Sequence, residues 1–106
     1  MSRKTLRAGE TLFREHEPGH SAFLIESGTI RIVVGQGEAA LALADLGGGD
    51  LVGEMAMIDD APRTATAIAI EDAVLLVIDR EHLAERVAQT DPVVRALLGG
   101  QLKRYR

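Results

Sequence analysis

Strand signals dominate the hydrophobic pattern of the first three quarters of the chain, and the spacing changes to that of a helix in the last quarter. Ala22-Phe23-Leu24-Ile25-Glu26 and Thr29-Ile30-Arg31-Ile32-Val33-Val34 read as strands, with Ile30, Ile32 and Val34 on one face. Ser27-Gly28 between them predicts a tight hairpin connection. Gln36-Gly37 turns the chain again, and a third strand is expected from Ala39 to Leu46 with Leu41 and Leu43 in alternation. Leu51-Val52 is long enough only for a strand end, while Thr64 to Ile70 and Ala73 to Ile78 form a later pair broken at Glu71-Asp72. Many short strands with glycine turns predict a mainly β fold, a jelly-roll β-sandwich.

After Ile78 the period lengthens. Asp79 is an N-cap for a helix over about 80–90, in which Leu83 and Val87 share a face. Thr90-Asp91-Pro92 restarts the chain, with Asp91 as N-cap and Pro92 at the first helical position of a second helix over about 92–105. That helix gathers Val94, Leu97, Leu98, Leu102 and Tyr105 near one side, and Lys103, Arg104 and Arg106 complement its dipole at the end. Gly99-Gly100 weakens it by ~1 kcal/mol per glycine relative to alanine, which suggests a hinge. The expected organisation is one domain over 1–106, a β-roll over about 5–79 followed by the two helices.

Composition narrows the function. With 106 residues and 46% hydrophobic positions the chain suits a single core, and two Phe, one Tyr and no Trp make that core aliphatic. A net charge of −4 gives no broad field for nucleic acid, so an anionic partner has to be captured by local geometry. The absence of cysteine excludes disulfides and thiolate metal sites. No apolar run approaches the ~20 residues that span a bilayer, and the N-terminus does not read as a signal peptide, so a cytoplasmic domain is expected.

The candidate chemistry lies between Gly53 and Ala65. Gly47-Gly48-Gly49-Asp50 forms a turn, Gly53 sits where the chain changes direction, and Met55 to Ile58 leaves room for about one helical turn before Asp59-Asp60-Ala61-Pro62 stops it. The N–H groups of such a turn lack intrahelical partners and carry partial positive charge, which suits an anion. Arg63 follows a proline that fixes the backbone, and its planar fork holds two anionic oxygens at once; Thr64 adds a hydroxyl beside it. Ala65, Ala67 and Ala69 recur with period two, a methyl face that suits close approach of something bulky. Glu54 would repel a phosphate, and fits only as the acceptor for a hydroxyl on the same ligand, such as a ribose 2′-OH.

Gly53-Glu54-Met55-Ala56 followed by Pro62-Arg63-Thr64-Ala65-Thr66 resembles the phosphate-binding cassette of cyclic nucleotide-binding domains, found in catabolite activators, kinase regulatory subunits and gated channels. The resemblance extends through Leu6-Arg7-Ala8-Gly9-Glu10-Thr11-Leu12-Phe13, Phe23-Leu24-Ile25-Glu26-Ser27-Gly28 and Leu46-Gly47-Gly48-Gly49-Asp50. It implies that Glu54 takes the ribose 2′-OH, that Arg63 takes the cyclic phosphate, and that the N–H groups of Met55 and Ala56 complete the cradle, with Gly53, Thr64 and Ala65 in the same site. The chain departs from the pattern at Val52, where an aromatic residue is common, and in opening almost directly on the first strand.

Other readings stand beside this one. Glu54 alone also suits any helix N-terminus, and Arg63 alone also suits a surface pair with Asp59 or Asp60. His16 and His20 are four apart, but Pro18-Gly19 forbids the helix that would make them a metal pair, and no His-x-His with a following glutamate supports a cupin-type enzyme. Gly47-Gly48-Gly49 lacks the Lys-Ser/Thr ending of a P-loop. The C-terminal apolar stripe reads either as core or dimer surface or as a lid in which Leu102, Arg104 or Tyr105 covers the base. No helix-turn-helix pattern follows the second helix, so DNA binding by this chain is not expected. The expected function is a regulatory domain that binds a cyclic nucleotide, cyclic AMP more than cyclic GMP, performs no reaction on it, needs no metal, and signals through its C-terminal helices to an effector domain or a homodimer partner. The alternatives are a cyclic GMP-preferring domain and a β-roll interaction module without ligand.

Overall fold

The computed structural model describes residues 2–53 and 62–79. Their strands form two four-stranded sheets in which every pairing is antiparallel. The first sheet runs in the order β1 (Ser2–Leu6), β8 (Ala73–Asp79), β3 (Ser21–Ser27), β6 (Leu51–Val52). The second runs β2 (Thr11–Phe13), β7 (Thr66–Ala69), β4 (Ile30–Val34), β5 (Leu41–Leu46). Each sheet turns one apolar face inward, so Leu6, Phe23, Ile25, Val52 and Leu75 of the first meet Ile30, Ala67 and Ala69 of the second in one core. Ile25, Ile30 and Leu75 are fully buried, each contributing about 1.5–3 kcal/mol of apolar transfer. This is the jelly-roll sandwich expected from the strand pattern.

The connections differ from the expectation. Ser27-Gly28 does not close a hairpin: β3 pairs with β8 and β6, whereas β4 pairs with β7 and β5, so the bend carries the chain from one sheet to the other. Nor do β7 and β8 pair with each other; residues 70–72 make a second crossing beside the first. The two crossings are tied by Ile70 N–H donating to Thr29 O at 3.1 Å. Gly28 has φ +87, and a Cβ there would run into the Asp72 carbonyl and the Ala73 backbone. Both strands flanking each bend carry a buried face, and crossing between layers buries both against each other.

The third strand begins at Leu41 rather than Ala39, because residues 37–39 form a single 3-10 turn. Leu41 and Leu43 do alternate, but on the solvent side of an edge strand, where they are 60% and 56% exposed. Leu51-Val52 is a strand end as expected, pairing with Leu24 and Phe23. Asp79 closes β8. The expected helices at 55–58, 80–90 and 92–105 lie outside the described residues, and so do Glu54, Met55, Ala56, Leu102, Arg104 and Tyr105.

Candidate functional site

Arg63 enters the site from the irregular segment before β7, fastened through both its N–H and its carbonyl by the loop between β2 and β3. Its N–H donates to Glu17 O at 2.8 Å, and its carbonyl accepts from His16 N–H at 2.8 Å. Glu15 N–H donates to Thr66 Oγ1 at 2.9 Å, three residues further on at the start of β7. The loop therefore holds 63–66 by three hydrogen bonds, and Pro62 before it presets the backbone.

The Arg63 side chain turns inward and is only 7% exposed. Nη1 donates to Gly53 O at 3.1 Å, and Nη2 donates to Ser21 O at 2.8 Å. Its Cζ lies 4.2 Å from the centre of the Phe13 ring and 5.8 Å from that of Phe23, so the cation rests against two aromatic faces. Nε is buried and has no hydrogen-bond partner among the described residues. Burial lowers the pKa of this guanidinium and the Glu17 carboxylate opposes the shift, yet arginine keeps its charge in either case. A cation this dry, met chiefly by neutral carbonyls, is an incomplete electrostatic arrangement that an anion would complete.

Around it lies a cavity of about 200 Å³. Gly53, Pro62, Arg63, Thr64 and Ala65 form one part of its lining; Phe13, Ile32, Leu46, Leu51 and Val52 supply an apolar remainder. Gly53 has φ +77, the left-handed conformation that a change of direction needs, and a Cβ there would lie 2.5 Å from Arg63 Nη1. Thr64 is exposed beside the buried Arg63, and Ala65 is buried. Four of the seven residues expected at the phosphate site, Gly53, Arg63, Thr64 and Ala65, thus line one cavity, and the other three lie outside the described residues.

The methyl face of β7 has a different use from the one expected. Ala67 and Ala69 are fully buried in the core between the sheets, so only Ala65 of that set faces the cavity. Small side chains there let the opposite sheet approach. Sequence reasoning also missed Phe13, Gly19 and Ser21, which surround the guanidinium. Phe13 is one of only two phenylalanines in the chain, which was the available signal; Ser21 acts through its carbonyl and left none. Among the described residues no group of three His, Cys, Asp or Glu side chains gathers as a metal site.

A family model described as the cyclic nucleotide-binding domain matches residues 3–90. The chain belongs to that family. It is 34% identical over 109 residues to the cyclic AMP receptor protein of Thermus thermophilus, a match covering 97% of this chain and 50% of that protein. It is 30% identical over 87 residues to a cAMP-dependent protein kinase regulatory subunit of Colletotrichum orbiculare, covering 82% of this chain and 22% of the subunit. Among solved structures, the half-site-occupied form of the EAL enzyme Bd1971 superposes with a TM-score of 0.92 at 33% identity, covering 99% of this chain and 95% of that one. The domain thus spans half the length, or less, of these two sequence relatives.

Proposed function

We propose that this domain binds a cyclic nucleotide, cyclic AMP in preference to cyclic GMP, and passes the binding event to other parts of the protein through the segment after Asp79. The observation that carries the reading is the buried, under-partnered Arg63 guanidinium beside a cavity that Gly53, Thr64 and Ala65 also line. Arg63 takes the cyclic phosphate, Glu54 accepts from the ribose 2′-OH, and the N–H groups of Met55 and Ala56 close the phosphate cradle. The domain itself performs no reaction: it discriminates between states of the protein, and what it regulates lies in an effector domain or a second copy.

Relatives support the ligand class. The Thermus protein is named for cyclic AMP, and Bd1971 has been solved in a cAMP-bound form and in a cGMP-bound form. The second of these makes cyclic GMP the specific alternative, with the Thr64 hydroxyl reaching a guanine amino group in place of the phosphate. Calorimetric titration with each nucleotide decides between them. Tighter binding of cyclic AMP is the expected result; tighter binding of cyclic GMP reverses the base assignment, and binding of neither removes the ligand reading.

A further inference from the structure

Gly19 sits at the end of the loop that clamps Arg63, and its backbone is not in the left-handed region, so φ does not explain the glycine. Space does. A Cβ at Gly19 would overlap Arg63 Nε and Cζ and lie 2.7 Å from Nη2. The guanidinium therefore occupies a slot floored by the missing side chain of Gly19, faced by the Phe13 ring and ended by the carbonyls of Ser21 and Gly53.

The slot holds the guanidinium independently of any ligand. Nη1 and Nη2 each give one N–H to a backbone carbonyl, and Nε is turned against Gly19 with no acceptor among the described residues. An anion arriving in the cavity meets a side chain that is 7% exposed and already engaged. Leaving the slot frees five N–H donors for a bidentate contact and relieves the orphaned Nε.

Building on the proposed phosphate role, we propose that Phe13, Gly19, Ser21 and Gly53 form a berth that stores Arg63 in the ligand-free domain. Anion binding draws the guanidinium out by exchanging the two carbonyls for phosphate oxygens. Gly19 then sets affinity without touching the ligand, because the occupied berth lowers the fraction of molecules ready to bind.

The test follows the Arg63 Nε–H by NMR in the full chain with labelled arginine, free and with cyclic AMP or cyclic GMP. In the free wild-type protein the resonance is expected to be shifted by the Phe13 ring and slow to exchange; saturating nucleotide moves it. In Gly19→Ala it should resemble an exposed arginine before any ligand is added, and nucleotide should bind severalfold more tightly. Phe13→Leu is the second variant, for use if Gly19→Ala does not fold, and should likewise abolish the ring-shifted, protected Nε–H. A protected resonance that survives both substitutions, or one that nucleotide leaves unmoved on binding, overturns the berth, as does Gly19→Ala binding no more tightly than wild type. If neither nucleotide binds either protein, the phosphate role and the exchange fail together, whereas the free-state resonance still reports separately on the slot.

Discussion

A cation that is 7% exposed and lies 4.2 Å from a phenyl ring centre has a structural task beside the proposed one at the phosphate, and its replacement should separate them. Arg63→Ala removes the proposed charge-assisted partner of the phosphate and is expected to cost about 1.5–3 kcal/mol of nucleotide binding by calorimetry, with Arg63→Lys restoring only part, since an ammonium lacks the planar fork. The same variant strands the Gly53 and Ser21 carbonyls, so urea unfolding should show a stability loss of about 1–3 kcal/mol even without ligand. Unchanged affinity in Arg63→Ala would remove it from the site. Glu54 is separable in a different way, because its assigned partner is a single hydroxyl. A 2′-deoxy cyclic nucleotide should bind wild type more weakly than the parent, and Glu54→Ala should bind both alike. A 2′-deoxy penalty that persists in the variant places the hydroxyl elsewhere.

At the level of elements, alternation follows burial in β7 and at the start of β8, whereas β3 buries Ala22 and Phe23 together and β4 buries only Ile30, so those two were legible from their apolar, β-branched runs. β1 was harder to delimit: Ser2-Arg3-Lys4-Thr5 is exposed, and only Leu6 is buried. The pairing of the strands was not legible at all, because a short glycine-containing bend joins neighbours in a hairpin and layers in a sandwich with the same residues. The candidate site was legible in Gly53 and Arg63 through backbone and charge chemistry; its supporting shell was not, since it works through carbonyls and an empty Cβ position. Edge strand β5 depends on its pairing with β4, where Arg31 Nε donates to Asp45 Oδ1 at 2.8 Å across directly opposed positions. The hydrogen bond from Arg31 holds the Asp45 pKa below the ordinary value; desolvation opposes it, and the Arg31 charge adds a smaller lowering. A depressed carboxylate pKa favours the folded state above its unfolded value near ~3.9, and that contribution disappears as pH falls through the lower folded value. Asp45→Asn should therefore lower the melting temperature slightly at neutral pH and low salt, and the gap to wild type should close on acidification. A gap that is constant with pH would assign the effect to something other than the ion pair.

For the whole molecule, the proposed transmission needs a part that responds when the cavity is filled. The core joins both sheets through Ile25, Ile30 and Leu75, so a ligand-dependent change is more economically carried by chain leaving the sheets than by the sheets themselves. β8 ends at Asp79 in the first sheet, between β1 and β3, and 27 residues follow it. Those residues include the Gly99-Gly100 pair and, beyond it in sequence, Leu102, Arg104 and Tyr105. The proposed phosphate and ribose contacts grip only one end of a nucleotide, and the purine keeps an open face unless a stacking surface closes over it. We therefore expect the segment from Gly99 to Tyr105 to cover the base, with Tyr105 or Arg104 against the ring. Hydrogen exchange on the full chain reads this directly: amides from Gly99 to Tyr105 should gain protection when cyclic nucleotide is added, while those of Ile25 and Leu75 stay protected throughout. Tyr105→Ala and Arg104→Ala together should then weaken nucleotide binding severalfold and reduce the protection gained. Equal protection with and without nucleotide, joined to unchanged affinity in the double variant, would make the segment a fixed or dimer-forming element, and transmission would have to start from the loop around Gly53 instead.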